Sequence, residues 1–219
     1  MRIGIIGAGF IGRAVARLAV AAGHEVMVSN SRGPHTLTSI PPGTGAGIGT
    51  VAQAARFGEI GLVAIPLHQI HTLPADTLAG RIVLDANNYY PARDGAIAEL
   101  DAHHITTSEL LARHLPHARI VKAFNAILAT DLEKGGQVLE SGRRRALPIA
   151  GDDPAAKAVA AGLLEQFGFD VVDAGTLAES WRFERAKPAY CMPLDREALL
   201  GALAAAERDK GVPEGSWRR

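Results

Sequence analysis

The sequence predicts an α/β fold: a doubly wound, mostly parallel sheet with helices on both faces and a small C-terminal extension. Three observations carry that expectation. Short apolar runs alternate with segments of helical period along most of the 219 residues, the pattern of a parallel sheet buried between helices. The first thirty residues already spell strand, helix, strand. Between the first strand and the first helix stands a glycine hexamer, Gly7-Ala8-Gly9-Phe10-Ile11-Gly12.

Each element follows in order. Arg2 to Ile6 is apolar and ends at a glycine, as a buried parallel strand does. Phe10 to Ala22 places Ile11, Val15, Leu18 and Ala22 at helical spacing, and Gly23 supplies the stop. Glu25 to Val28 reads as the second strand, and Gly43 to Gly49 as a turn into a brief edge strand. Val51 to Phe57 is helical, Ile60 to Ile65 and Arg81 to Asp85 are strands, Ser108 to His114 is a helix, and Arg119 to Phe124 is a strand. The pattern loosens near Gly135–Arg145 and then resumes. Arg144 to Ile149 is strand-like, and Pro154 behind Asp153 opens an Ala-rich helix to about Phe167. A short strand at Asp170 to Val172 and a final helix from Asp195 to Asp209 complete the chain. The division this suggests is a nucleotide-binding domain over residues 1–140 and a smaller part over 141–219 that packs on it.

Composition narrows the functions. With 47% apolar and 21% charged residues the chain is an ordinary globular one. Lys and Arg number 23 against 23 Asp and Glu, so there is no global basic surface for nucleic acid or an anionic membrane. The single cysteine, Cys191, excludes an intramolecular disulfide and a multi-cysteine zinc site. The uncharged run from Ile60 to Ala75 falls short of the ~20 residues of a membrane span and is broken by Pro66, His68, His71 and Pro74. Arg13 and Arg17 interrupt the apolar start, against a signal peptide. The expectation is a cytoplasmic protein without nucleic-acid or membrane partners.

The glycine hexamer matches G-x-G-x-x-G in the context where it has physical meaning, after a strand and opening a helix. Gly7 permits the tight turn, Gly9 lets the backbone approach a pyrophosphate, and Gly12 lets helix pack close to strand. The free N–H groups and positive dipole end of the helix favour phosphate. Where an NAD site places Asp or Glu after the second strand, this chain has Ser29-Asn30-Ser31-Arg32-Gly33-Pro34. A guanidinium binds a 2′-phosphate that a carboxylate would repel. Arg32, with Ser31 and Asn30, is therefore expected to hold the 2′-phosphate of NADP(H).

With these motifs the chain resembles the coenzyme F420-dependent NADP oxidoreductase family, Rossmann-fold enzymes that exchange a hydride between NADP and a deazaflavin. The resemblance rests on Ile3 to Gly12, Ser29 to Pro34, Asp85-Ala86-Asn87-Asn88-Tyr89-Tyr90, Lys122-Ala123-Phe124-Asn125 and Ala150-Gly151-Asp152-Asp153. It implies that Gly7, Ala8, Gly9, Phe10, Ile11, Gly12, Ile65 and Pro66 border the cofactor. It also implies that Ala86, Asn87, Ala123, Phe124 and Asn125 lie by the nicotinamide. The C-terminal part would complete the acceptor site or a dimer contact, although Lys187 to Pro193 matches nothing in the family pattern. A flavin, quinone or imine-type acceptor, or a non-catalytic NADP(H)-binding sensor or electron-input module, are the competing readings.

Hydride transfer between two cofactors needs ring carbons held ~3–3.5 Å apart in a dry pocket more than it needs acid–base groups. The sequence accordingly offers no catalytic triad, metal spacing or carboxylate pair. Asn125 is the candidate for orienting a ring. His68 is a cofactor-rim residue or a helix cap, and its spacing to His71 lacks a third metal ligand. Tyr89 and Tyr90 stack, donate a proton, or simply pack. Trp181 and Phe183 are expected to pack the last strand or a subunit interface. Arg143-Arg144-Arg145 reads as a solvated loop or a phosphate contact, and Cys191 as inert. Leu199, Leu200, Leu203 and Ala204 on the last helix suggest a homodimer.

Overall fold

Two-faced burial of the strands dictates the architecture. The computed structural model describes residues 1–217. Its strands are β1 (Arg2–Ile6), β2 (Glu25–Ser29), β3 (Gly47–Gly49), β4 (Ile60–Val63), β5 (Ile82–Asp85), β6 (Arg119–Lys122), β7 (Ala146–Gly151) and β8 (Asp170–Asp173). The helices are α1 (Phe10–Ala21), α2 (Ile40–Thr44), α3 (Val51–Phe57), α4 (Ala75–Leu78), α5 (Pro91–Asp94), α6 (Ala98–Asp101), α7 (Thr107–His114), α8 (Ala129–Leu132), α9 (Pro154–Gln166) and α10 (Arg196–Ala204). All eight strands form one sheet in the order β3-β2-β1-β4-β5-β6-β7-β8.

Side chains of successive strand residues point to opposite faces. Ile5, Leu62, Leu84 and Val121 enter one core with Val15 and Ala19 of α1 and Leu163 of α9. Their neighbours Ile6, Val63, Val83 and Ile120 enter the other with Leu111 of α7 and Leu177. The strands must be apolar throughout because both faces are covered, which is why they read as unbroken apolar runs. The order over β3 to β6 is that of a doubly wound dinucleotide fold, reversing between β1 and β4.

The C-terminal part continues the same sheet. β7 pairs antiparallel with β6, through Val121↔Gly151 and Lys122↔Ala150, and β8 pairs parallel with β7. A third apolar cluster of Phe183, Tyr190, Leu199, Leu203 and Trp217 packs beyond it.

Three expectations are corrected here. The last helix ends at Ala204 rather than Asp209, and beyond it the carbonyls of Glu207, Arg208 and Lys210 turn onto the Lys187 ammonium, each at 2.7 Å. Phe124 lies outside β6, in the left-handed conformation at φ 64°. The arginine run is a loop with Arg143 and Arg144 exposed, as expected, but its third residue is not solvated. Arg145 is buried and paired with Asp131 at 2.8 Å, Arg144 donates to the carbonyls of Gly168 and Phe169, and Arg143 pairs with Glu197. These three arginines tie the start of β7 to α8, to the turn before β8, and to α10. Trp181 and Phe183 lie on a 3-10 turn (Leu177–Phe183) against that part of the sheet.

Arg145→Met should therefore lower stability by about 1.5–3 kcal/mol, the worth of a charge-assisted hydrogen bond, in chemical denaturation. NADPH binding should stay unchanged, because no atom of the arginine reaches the cleft described next.

Candidate dinucleotide and acceptor cleft

The C-terminal ends of β1, β4, β5 and β6 open onto one elongated cleft, as expected at the strand-order switch of such a sheet. It consists of two hollows that share Gly9, Ala64, Ile65 and Pro66. One, of about 320 Å³, runs from the glycine turn to Asn30, Ser31 and Arg32 beyond β2. The other, of about 450 Å³, runs over Ala86 and Asn87 to Phe124 and Asn125, with Phe10 and Ile11 on its rim.

The three motif glycines have different reasons to be there. A Cβ on Gly7 would lie 2.1 Å from the Ala64 carbonyl oxygen, and one on Gly12 would lie 1.9 Å from the Gly7 carbonyl oxygen. Both are therefore required by the packing of the chain on itself. Gly9 has ordinary extended backbone (φ −73°), and a Cβ there would meet nothing within 4 Å. The protein itself does not need a glycine at this position, and the open space beside it is room for something that enters the cleft. The N-terminus of α1 points the same way. Of the five helices with seven or more residues, α3 and α7 carry capping boxes and α9 and α10 are capped by Asp153 and Asp195. Only α1 has no side-chain cap and no acidic residue in its first turn, leaving its N–H groups free for an anion.

Beyond β2, Ser29 is fully buried and donates to the Ile5 carbonyl at 3.0 Å, so it takes no part in the hollow. Asn30 shapes the turn. Its Oδ1 accepts from the Arg32 amide at 3.0 Å, and its Nδ2 donates to Thr36 at 2.9 Å. This leaves Ser31 and Arg32 exposed, and Arg32 pairs with no carboxylate among the described residues. No Asp or Glu lines this hollow. A second guanidinium does, that of Arg13, which sequence reasoning missed. It donates to the Ala8 carbonyl (2.9 Å) and to Ser39 (3.1 Å), fixing the glycine turn. Its place directly after Gly12 was the available signal.

The other hollow is floored by two asparagines, each with one uncommitted buried atom. Asn87 Oδ1 accepts from the Ile65 amide at 2.9 Å, while its Nδ2 has no partner. Asn125 Nδ2 donates to the Phe183 carbonyl (3.0 Å) and to Asn88 Oδ1 (3.2 Å), while its Oδ1 has no partner. Both residues line the hollow with these two atoms buried behind its surface, and an orphan donor beside an orphan acceptor fits a ligand carboxamide, which the nicotinamide end of NADP(H) carries. Asn125 is aimed by the strained Phe124 before it, whose φ of 64° turns the chain out of β6 into the cleft. Ala123 is fully buried beneath the floor and bonds Asp85 in the ladder, outside the cleft lining.

Opposite, Tyr90 and Tyr190 share a hydroxyl–hydroxyl bond of 2.8 Å, and the guanidiniums of Arg93 and Arg185 lie 4.7 and 5.2 Å from the Tyr90 ring. Cys191, also in the lining, is buried, and burial pushes its thiol up to about 12. Tyr89 turns away, bonding Asp101 and the Gly95 carbonyl. His68 lines neither hollow and bonds Asp94 at 2.9 Å. Burial would raise the Asp94 carboxyl, but hydrogen bonds from Arg93, His68 and the Tyr90 amide outweigh it and hold it at about 2. Among the described residues no three His, Cys, Asp or Glu side chains converge as a metal ion would need, and no helix is long and apolar enough to cross a membrane.

Beneath the floor lies an ion pair that the apolar strand patterns concealed. Asp85 and Lys122 are register partners on β5 and β6, both fully buried, with the ammonium 3.4 Å from the carboxylate. Lys122 also donates to the Asn87 carbonyl at 2.7 Å and to Thr107 Oγ1 at 2.5 Å. Asp85 accepts from the Asn87 amide at 2.9 Å and from Ser108 at 2.5 Å.

Comparison with known proteins agrees with this geometry. Residues 2–89 match the family described as NADP oxidoreductase, coenzyme F420-dependent. The solved structure of an Arthrobacter protein, named provisionally as an F420-dependent NADP reductase, superposes with a TM-score of 0.68 at 25% identity over 82% of this chain and 87% of that one. Over residues 2–89 the chain is therefore similar to NADP oxidoreductases, and its fold is theirs. A hypothetical protein of Sinorhizobium meliloti, SMa0349, superposes with a TM-score of 0.74 at 29% identity over 90% of this chain and 95% of that one. Rat metalloreductase STEAP3 is 31% identical over 204 residues, 92% of this chain, but this chain spans 39% of that protein's length.

The glycine argument separates two variants. Gly12→Ala should unfold the chain or drive α1 off the sheet, seen as a loss of its cooperative melt. Gly9→Ala should melt within about 1 kcal/mol of the parent, the propensity range of such a change, yet bind NADPH at least tenfold more weakly by calorimetry.

Proposed function

We propose that this chain is an NADP oxidoreductase and that it transfers a hydride between NADPH and a deazaflavin acceptor of the coenzyme F420 type. The observation that carries this reading is the pair of orphaned amide atoms, Asn87 Nδ2 and Asn125 Oδ1, in the hollow next to an apolar rim. Phe10 on that rim is 79% exposed and stands beside Ile127 and Leu128. A planar acceptor ring lying on this rim would face a nicotinamide whose carboxamide is read by the two asparagines.

In this reading Gly7, Ala8 and Gly9 and the free start of α1 hold the pyrophosphate, with Phe10, Ile11 and Gly12 forming the first turn behind it. Arg32, Ser31 and Asn30 hold the 2′-phosphate, with Arg13 adding a second positive charge. Ile65 and Pro66 border the cofactor where the two hollows meet, and Ala86 and Phe124 complete the ring pocket. When bound, NADPH supplies the hydride. The residues of the chain orient the rings and exclude water, which accounts for a cleft without a general-acid carboxylate. The family description and the Arthrobacter structure support the deazaflavin; the similarity to rat metalloreductase STEAP3 favours a second reading, an electron-input module that feeds electrons to a metal centre of a partner.

We further propose that the enzyme works in the cytoplasm as a homodimer. Leu199 and Leu203 of α10 are committed to the chain's own core, so the contact would fall to Leu200, which is 49% exposed, and its surroundings. Sedimentation at micromolar concentration should give twice 23.0 kDa, and a particle of 23.0 kDa overturns the dimer.

The acceptor is tested by mixing the protein anaerobically with NADPH and oxidised F420 and following the visible absorbance of the deazaflavin. Catalytic bleaching with NADPH, and little with NADH, is the expected result. Arg32→Ala should weaken NADPH binding about 10–100-fold, the worth of a charge-assisted contact, and erase the preference over NADH. Tight NADPH binding without bleaching would reject the deazaflavin and move the search to flavins and partner-bound centres.

A further inference from the structure

We infer that the buried Asp85–Lys122 pair is a positioning device that sets the Asn87 carboxamide for reading the nicotinamide. The inference rests on the proposal that the nicotinamide occupies this half of the cleft. It concerns residues for which the hydride reading itself has no use.

Neither charge reaches the cleft. Both side chains have no exposed surface, and neither lines either hollow. An ion pair in such a place is weak evidence for stability, since apolar residues of similar volume fill buried sites as well or better. Where its hydrogen bonds go is more informative. An ammonium has three protons, and those of Lys122 go to Asp85, to Thr107 Oγ1, and to the Asn87 carbonyl. One oxygen of Asp85 takes the Asn87 N–H. Asn87 lies beyond the end of β5, where the sheet ladder no longer holds the backbone, and the pair supplies both missing main-chain partners. The side chain is then held at a third point, because its Oδ1 accepts from Ile65 N beyond β4.

With N–H, C=O and Oδ1 all committed, the amide plane of Asn87 is fixed and only Nδ2 is left for a ligand. The pair is itself braced from outside the sheet. Ser108 on α7 donates to Asp85, and Thr107 links Lys122 to Glu184 at 2.6 Å. An unbraced Asn87 would still line the cleft, but its N–H donor would swing.

This arrangement makes a selective prediction about the ligand amide. Asn87 Nδ2 can only donate, so it reads the carbonyl oxygen of the carboxamide; Asn125 Oδ1 can only accept, so it reads the NH₂. Thio-NADP⁺ weakens the first contact by replacing oxygen with sulfur, and the 3-acetylpyridine analogue removes the second by replacing NH₂ with methyl.

The experiment measures calorimetric Kd values for NADP⁺ and these two analogues, with no acceptor present. The proteins are the parent, Asn87→Ala and the double variant Asp85→Asn/Lys122→Met. The double variant neutralises the pair, keeps an oxygen for the Asn87 N–H, and releases the Asn87 carbonyl. The parent should prefer NADP⁺ over thio-NADP⁺ by about 3–10-fold, the fold-change of one neutral hydrogen bond. That ratio should fall toward one in Asn87→Ala and in the double variant. The ratio against the acetylpyridine analogue should remain at the parent value in both, which a general loosening of the cleft would not allow.

A double variant with both ratios intact, beside an Asn87→Ala with the first ratio lost, overturns the positioning role. A joint fall of both ratios overturns it too. An Asn87→Ala that keeps the first ratio instead overturns the nicotinamide placement. Should the double variant not fold, Asp85→Asn alone, which loosens Lys122 and keeps the Asn87 N–H acceptor, carries the same test. None of these readings depends on which acceptor the enzyme uses.

Discussion

The cleft depends on one backbone contact, the closeness with which α1 begins against the end of β1. Gly12 lies so near the Gly7 carbonyl, and Gly7 so near that of Ala64, that any side chain would force the three segments apart. Because they touch, the first turn of the helix sits directly above the strand ends and its unpaired N–H groups face the groove between β1 and β4. What the glycine turn offers an anion follows from this packing, with Arg13 bonded to the Ala8 carbonyl to hold the turn.

The two halves of the cleft solve different problems. At the β2 end the task is to admit a charge, and exposed Ser31 and Arg32 stand on a turn stapled by Asn30, where solvent makes the cost of an unpaired guanidinium small. At the β5–β6 end, in the proposed reading, the task is to hold the nicotinamide ring in one orientation. There the chain accepts expensive features: orphaned amide atoms, a left-handed Phe124 and a second left-handed residue, Cys191, facing the same hollow. Strain of this kind persists where the surroundings over-determine it. The surroundings here include a packed Phe124–Phe167 ring pair with centroids 5.9 Å apart.

The strand–helix alternation and the glycine turn were legible because each rests on local chemistry: burial on two faces, helix stops, and backbone room. So was the turn after β2, where the lack of a carboxylate is itself a signal. Less legible were features set by contacts distant in sequence. Nothing near Lys122 says that its ammonium meets Asp85, thirty-seven positions earlier, since the register of β5 on β6 is what joins them. The pairings of the arginine run were hidden for the same reason. Its partners, Asp131, the Gly168 carbonyl and Glu197, come from three separate elements. The last helix read too long because composition favours helix through Asp209, while the chain there instead wraps its carbonyls around Lys187, a residue distant in sequence.

The placement of polar groups also explains why a parallel sheet can carry so specific a site on so plain a sequence. Strand interiors must be apolar on both faces, so chemistry can enter only at strand ends, where the ladder leaves main-chain groups unpaired. In β5 and β6 the last ladder residues are themselves charged, Asp85 and Lys122, and they satisfy each other and the departing backbone at once. A charge placed one residue earlier in either strand would point into a packed core with no unpaired main chain to meet. One residue later it would face the cleft from β5, at Ala86, or lie buried beneath the floor from β6, at Ala123. The end of the ladder is the position from which a buried charge can organise the site without taking part in its chemistry.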